Sequence, residues 1–168
     1  VAASMVSTPL LMMLWERVLA SRLTSRDVRA PDKIEERNPV IVAGFGRFGQ
    51  IVARVLRGMN IKSTIIEHDP GQIETVRRFG WKAYYGDATR LDLLESAGAR
   101  DAKLLIVAID DQEAAMKAVK GARERFPNLQ IIVRAHSRTD AYEYVGLGVP
   151  SVREAYRSAL DAASGAVE

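Results

Sequence analysis

From Val40 onward, short runs of β-branched and aliphatic residues alternate with longer stretches whose apolar positions recur every three or four residues. The runs read as strands over 40–43, 63–67, 82–85, 103–108 and 130–135, with a short sixth near 151–152. The stretches between them read as helices over 48–57, 72–79, 91–97, 112–125 and 139–145. Gly58, Gly80 and Gly98 stand where helices should stop, as residues that accept a positive φ. Asp111 precedes the fourth helix and can cap it. Strand and helix in strict alternation predict βαβ units. The fold class expected is therefore α/β: a Rossmann-like, doubly wound, mainly parallel sheet with helices on both faces. Leu56, Ile65, Leu93, Leu94, Leu104, Ile106, Ile131 and Val133 are the expected core.

The pattern differs before Val40. Residues 1–23 are apolar and then basic, and residues 24–38 are polar and contain Pro31, as expected of a linker. The domain is expected over 39–160, with a tail over 161–168. The chain opens at Val1 inside an apolar run that reaches Trp15, which suggests a piece of a longer polypeptide. That run is shorter than the roughly 20 residues a spanning helix needs. Arg17, Arg22, Arg26 and Arg29 follow it, as basic residues do on the cytoplasmic side of a membrane. Two readings stay open: the end of a last membrane helix, or an amphipathic helix packed on the domain or a partner.

Composition narrows the chemistry. The 168 residues suit one domain, and 48% of them are apolar, enough for a core. A net charge of +3 is too small to argue for a nucleic-acid partner. With no cysteine, a disulfide framework, a cysteine zinc site and a thiol nucleophile are excluded. His68 and His136 lack metal-ligand spacing.

One motif carries the chemistry. The first strand runs into Gly44-Phe45-Gly46-Arg47-Phe48-Gly49, a G-x-G-x-x-G that opens a helix. Gly44 permits the tight turn, Gly46 admits a pyrophosphate to the backbone, and Gly49 lets helix and strand pack closely. The helix N-terminus offers free N–H groups and a positive dipole end to phosphates. Arg47 either reaches phosphate or faces solvent, and Phe45 and Phe48 either pack, stack or meet a partner subunit. Glu67 ends the second strand 18 residues past Gly49, where a carboxylate accepts from ribose hydroxyls and repels a 2′-phosphate. No arginine stands beside it, which favours AMP or NAD(H) over NADP. His68 follows on the same edge, and His68-Asp69 reads as turn chemistry rather than catalysis. Gly86-Asp87-Ala88 ends the third strand, where Asp87 can accept from an adenine amino group and small Ala88 leaves room for the ring. Asp110, after the fourth strand, reaches the same edge and can face ribose or phosphate.

GFGRFGQ, YGDATRLDLLESAGA and FPNLQIIVRA closely resemble the KTN (RCK N-terminal) domain of Kef-type glutathione-regulated potassium efflux systems. The likeness covers roughly Pro39 to Leu160. Ser7-Thr8-Pro9-Leu10-Leu11 and Trp15-Glu16-Arg17 also look like the end of that family's last membrane helix. The resemblance implies a regulatory domain on the cytoplasmic face of the inner membrane. It would form a homodimer and be tethered by a linker to an antiporter-type membrane domain of the same polypeptide. It also implies an adenine nucleotide in the crevice and control by glutathione or its adducts. Gly44, Gly46, Gly49, Glu67 and Asp87-Ala88 match the nucleotide positions. Arg54 and Arg134 fall at or near the basic positions of the regulatory site. The family's Arg-Ala-Arg reads here as Arg134-Ala135-His136. Histidine binds anions in a pH-dependent way, and imidazole lacks the two-bond fork of a guanidinium.

Two other readings compete. A fragment of an NAD-dependent oxidoreductase shares the fold, but no Tyr-x-x-x-Lys pair and no substrate domain accompany it. A soluble Trk-type regulatory subunit fits if the opening segment is a soluble amphipathic helix. A non-enzymatic regulatory domain is the leading expectation.

Overall fold

A computed structural model describes residues 31–34, 37–78 and 80–164. The chain divides into two units, Val1–Ala30 and Pro31–Glu168, and the described residues belong to the second. The expectations for residues 1–23, most of the linker and residues 165–168 therefore lie outside the described residues.

Six parallel strands form one sheet in the order β3-β2-β1-β4-β5-β6. They are β1 (Val40–Ala43), β2 (Ser63–Glu67), β3 (Ala83–Tyr85), β4 (Leu104–Val107), β5 (Gln130–Ala135) and β6 (Ser151–Arg153). The helices are α1 (Arg47–Gly58), α2 (Pro70–Arg78), α3 (Leu91–Ser96), α4 (Gln112–Arg125), α5 (Arg138–Gly146) and α6 (Glu154–Ser164). β1 is fully buried and pairs with β2 on one side and β4 on the other, Val42 opposite both Ile65 and Ile106. A central parallel strand covered on both faces needs an unbroken apolar run, and Val40-Ile41-Val42-Ala43 supplies it. Its side chains alternate between two cores. Ile41 and Ala43 join Leu94, Leu105, Val119 and Val133, while Val40 and Val42 join Phe45, Ala53, Ile65 and Val76. Six of the expected core residues are buried; Leu56 and Leu104 pack partly buried against the second core.

Three differences from the sequence reading have physical causes. Gly58 does not take a positive φ: α1 runs on through it, and Asn60 turns the chain at φ 58 instead. Asparagine is among the side chains that tolerate this region best. The second difference is α6, which no predicted helix covered; it reaches Ser164, into the span expected to be a tail. It follows Arg153 without a turn, so no glycine or proline marks its start. The third concerns the linker. Asp32 lies along the free edge of β3, its N–H donating to Tyr85 O at 3.0 Å and its Oδ2 accepting from Tyr85 N at 2.7 Å. Arg77 adds an ion pair to the same carboxylate at 2.7 Å.

Candidate nucleotide-binding crevice

The strand order reverses between β1 and β4. A crevice opens beyond the carboxyl ends of the strands at such a point, because the connections leave toward opposite faces. Gly44 lines it at φ +96, its N–H donating to Ile66 O at 2.8 Å. A Cβ there would lie 2.7 Å from Ala108 O, so the ends of β1 and β4 leave no room for a side chain. A Cβ on Gly49 would fall 2.2 Å from Gly44 O, and this is why α1 starts so close under the turn. Gly46 is the N-cap of α1 in extended backbone; no side chain caps it, and no acid occupies the first turn. The helix thus presents unshielded N–H groups and its positive end, a ready anion site.

Glu67 is only 3% exposed and is tied into the fold. Its Oε2 accepts from Phe45 N at 2.6 Å, and its Oε1 accepts from His68 N and Asp69 N at 2.8 Å each. The carboxylate therefore joins the glycine loop to the turn after β2. A ribose hydroxyl meeting Glu67 would have to use the remaining lone pair of Oε2 or displace a backbone donor. His68 is exposed, with Nδ1 2.9 Å from Glu67 Oε1. Phe45 is buried among the second core and tilts against Trp81, ring centroids 6.1 Å apart, so of the open alternatives it packs. Arg47 is exposed and Phe48 half-buried.

At the end of β3, Gly86 N donates to Glu67 O at 2.9 Å, and a Cβ on Gly86 would strike Leu93. Asp87 is exposed; its carboxylate accepts from Thr89 N at 2.8 Å and Thr89 Oγ1 at 2.9 Å, closing a turn. Ala88 is buried in the first core. Asp110 stands past β4 with its side chain 71% exposed, paired with Arg134. Asp111 caps α4 as expected, accepting from Ala114 N at 2.7 Å.

The three candidate regulatory residues are not gathered within this chain. Exposed Arg54 lines a cavity of about 440 Å³ between α1 and α2, together with Gln50, Asp69, Gln72, Thr75 and Trp81. Gln72 Oε1 is buried without a hydrogen-bond partner. Arg134 does not line that cavity; it is buried at the end of β5, bonded to Asp110 and Glu154. His136 is exposed just beyond, its N–H donating to Asp140 Oδ2 at 3.1 Å.

Sequence reasoning missed Glu154 and the role of Asp140. The latter closes a capping box with Ser137 on α5 and accepts from Gln112 Nε2 at 3.0 Å, joining the starts of α4 and α5. The Ser137 hydroxyl, with the N–H groups of Ser137 and His136, holds the Asp140 carboxyl below the usual aspartate range. One signal for Glu154 was available: an arginine inside the apolar run of β5 must find a carboxylate. Among the described residues, no group of three His, Cys, Asp or Glu is placed to hold a metal ion, and no helix is long and apolar enough to cross a membrane.

Comparison with known proteins places the chain in a family. The glutathione-regulated potassium-efflux system protein KefC of Escherichia coli is 46% identical over 164 residues, 97% of this chain. The chain spans about a quarter, 26%, of that relative's length. Among solved structures, the Shewanella denitrificans Kef C-terminal domain in AMP-bound form superposes with a TM-score of 0.69 at 44% identity, covering 76% of this chain and 78% of that one. The TrkA-N domain of the Escherichia coli inner membrane protein YbaL gives 0.70 at 25% identity, over 80% of this chain and all of that one, 100%. The GsuK channel bound to NAD, at 16% identity and a TM-score of 0.64 over 85% of this chain and 27% of that one, shares the fold. The TrkA-N domain pattern itself matches residues 40–153, every strand of the sheet included, and the chain belongs to the TrkA-N domain family.

Proposed function

We propose that this domain binds an adenine nucleotide, AMP or NAD(H), and thereby regulates a potassium:proton antiporter-type efflux system of which it is part. The observation that carries the reading is the uncapped N-terminus of α1 facing the β1/β4 switch point, with Glu67 fixed beside it. The Kef domain that is 44% identical is described as AMP-bound, which supports AMP as ligand. The likeness to KefC supports the efflux system, and with it a location on the cytoplasmic face of the cell membrane. The domain acts as a ligand-sensing part rather than an enzyme. Asp32, within the segment read as the linker, is held against β3 by its two hydrogen bonds to Tyr85.

A homodimer is part of this proposal. Ile51 and Val55 on α1 and Met59 at its C-cap, four residues apart, are 59%, 54% and 66% exposed. Tyr142, Val145, Val152 and Tyr156 are exposed as well, and large apolar side chains left to water in this number support a protein interface. Glutathione or an adduct would meet Arg54 at the cavity between α1 and α2, with Arg134 and His136 reached only from elsewhere in an assembly.

Two experiments test the reading. Calorimetry with AMP, NAD, NADH, NADP and glutathione should give binding of AMP or NAD(H) and weaker binding of NADP. No adenine nucleotide bound at millimolar concentration would contradict it. Potassium efflux from vesicles holding the full-length transporter should then respond to that nucleotide. Regulation requires the ligand to favour one of two states, so a nucleotide that binds without altering flux would remove the regulatory half of the proposal.

A further inference from the structure

Arg134 is 5% exposed in a strand that is otherwise apolar from Ile131 to Ala135. A buried guanidinium is tolerated only when paired. Its Nη1 donates to Asp110 Oδ1, and its Nη2 lies 2.5 Å from Glu154 Oε2. The Phe48 ring covers it at 5.8 Å, and its Nε is buried without a partner. One guanidinium between two carboxylates leaves the cluster with one net negative charge. Asp110 is the member that stands beside the start of α1. Its Oδ2 lies 3.1 Å from where a Cβ on Gly46 would stand, beside the N–H groups that open α1. A carboxylate thus sits at the edge of an anion site, only partly neutralised from behind.

We propose that the Asp110–Arg134 pair sets how much phosphate charge the crevice accepts, and so selects among adenine nucleotides. This rests on the nucleotide reading above. A phosphate at the α1 N-terminus gains from the helix end and the free N–H groups. Each further negative charge adds repulsion from Asp110 and gains nothing from Arg134, which is already held by two carboxylates. A monophosphate, or the doubly charged pyrophosphate of a dinucleotide, is favoured over a nucleoside diphosphate or triphosphate. Arg134 is a positioning residue here: it holds Asp110 in place and offsets part of its charge. Asp110 is the specificity determinant.

The test is a set of dissociation constants for adenosine, AMP, ADP and ATP, without divalent cations, on the unaltered chain and on Asp110→Asn. Asp110 is exposed, so its loss should leave the fold intact. The unaltered chain should bind AMP more tightly than ADP and ADP more tightly than ATP. Asp110→Asn should tighten AMP by about threefold and ATP by about tenfold, with adenosine unchanged, as expected for partly screened charges a few ångströms apart. The AMP-to-ATP ratio of the unaltered chain should shrink as salt is raised, which a purely structural role would not produce. In Arg134→Gln, AMP should weaken relative to adenosine, and adding Asp110→Asn should recover the ratio. If Asp110→Asn shifts adenosine and AMP equally, or shifts neither while AMP still binds, the charge-selection proposal is overturned and the nucleotide reading stands. If the unaltered chain binds no adenine nucleotide, both fall.

Discussion

Replacing Glu67 by glutamine should cost the domain about 2–4 kcal/mol, although the two side chains have nearly the same shape. The carboxylate accepts three backbone hydrogen bonds, from Phe45 at 2.6 Å and from His68 and Asp69 at 2.8 Å each. An amide offers one oxygen. Turned toward His68 and Asp69, it keeps those two bonds, weakened by the lost charge. Its NH2 group then meets the Phe45 N–H, donor against donor, in a site where Phe45 is 4% exposed. A hydrogen bond to a charged group is worth about 1.5–3 kcal/mol net, and a buried donor left unpaired costs about 1–3 kcal/mol. These describe the same lost contact and overlap, and the two weakened bonds add the remainder. With a urea m value near 2 kcal/mol per molar, the unfolding midpoint should fall by about 1–2 M with m unchanged. Equilibrium urea unfolding followed by circular dichroism is the assay. A change smaller than about 0.5 kcal/mol would refute the claim that Glu67 ties the glycine loop to the β2 turn. One consequence concerns the ligand: weaker nucleotide binding by this variant would have two causes. Comparing AMP with 2′-deoxy-AMP on the unaltered chain isolates the ribose contact.

Gly44→Ala should destabilise by about 2–4 kcal/mol in thermal unfolding, since it combines φ +96 with a Cβ 2.7 Å from Ala108 O; an unchanged midpoint would mean the strand ends part easily. Asp111→Ala should cost about 1 kcal/mol in the same assay through loss of the α4 cap. Asp140 gives a pH signature. Its folded pKa is depressed, so its contribution is fully present above the unfolded value near 4 and is lost as the pH falls through the folded one. The stability gap between the unaltered chain and Asp140→Asn should hold from pH 7 to about 5 and narrow below about pH 4; a gap that widens in acid would reverse the sign of the argument.

The parts of this fold that could be read along the chain are those enforced by local chemistry. β1 is legible because a doubly covered strand tolerates no polar break, and its glycines because each sits where a Cβ meets backbone or a carboxylate. Asp111 is legible because a cap acts three residues ahead of itself. What depends on two distant segments meeting was not legible. Glu67 was read for the ligand it could hold, while one of its three backbone bonds comes from a loop 22 residues earlier. Arg134 announced by its apolar neighbours that it needed a partner, but not that Asp110 and Glu154 would share it. Nor could α6 be found from breakers, because β6 passes into it directly.

Hydrogen exchange of the chain with and without AMP tests the central claim most directly, since it reports where the ligand sits. Exchange should slow at the amides of residues 44–50, 67–69 and 86–89, the segments at and after the carboxyl ends of β1, β2 and β3. Protection confined to the α1/α2 cavity or to α5 and α6, with those three segments unchanged, would contradict it.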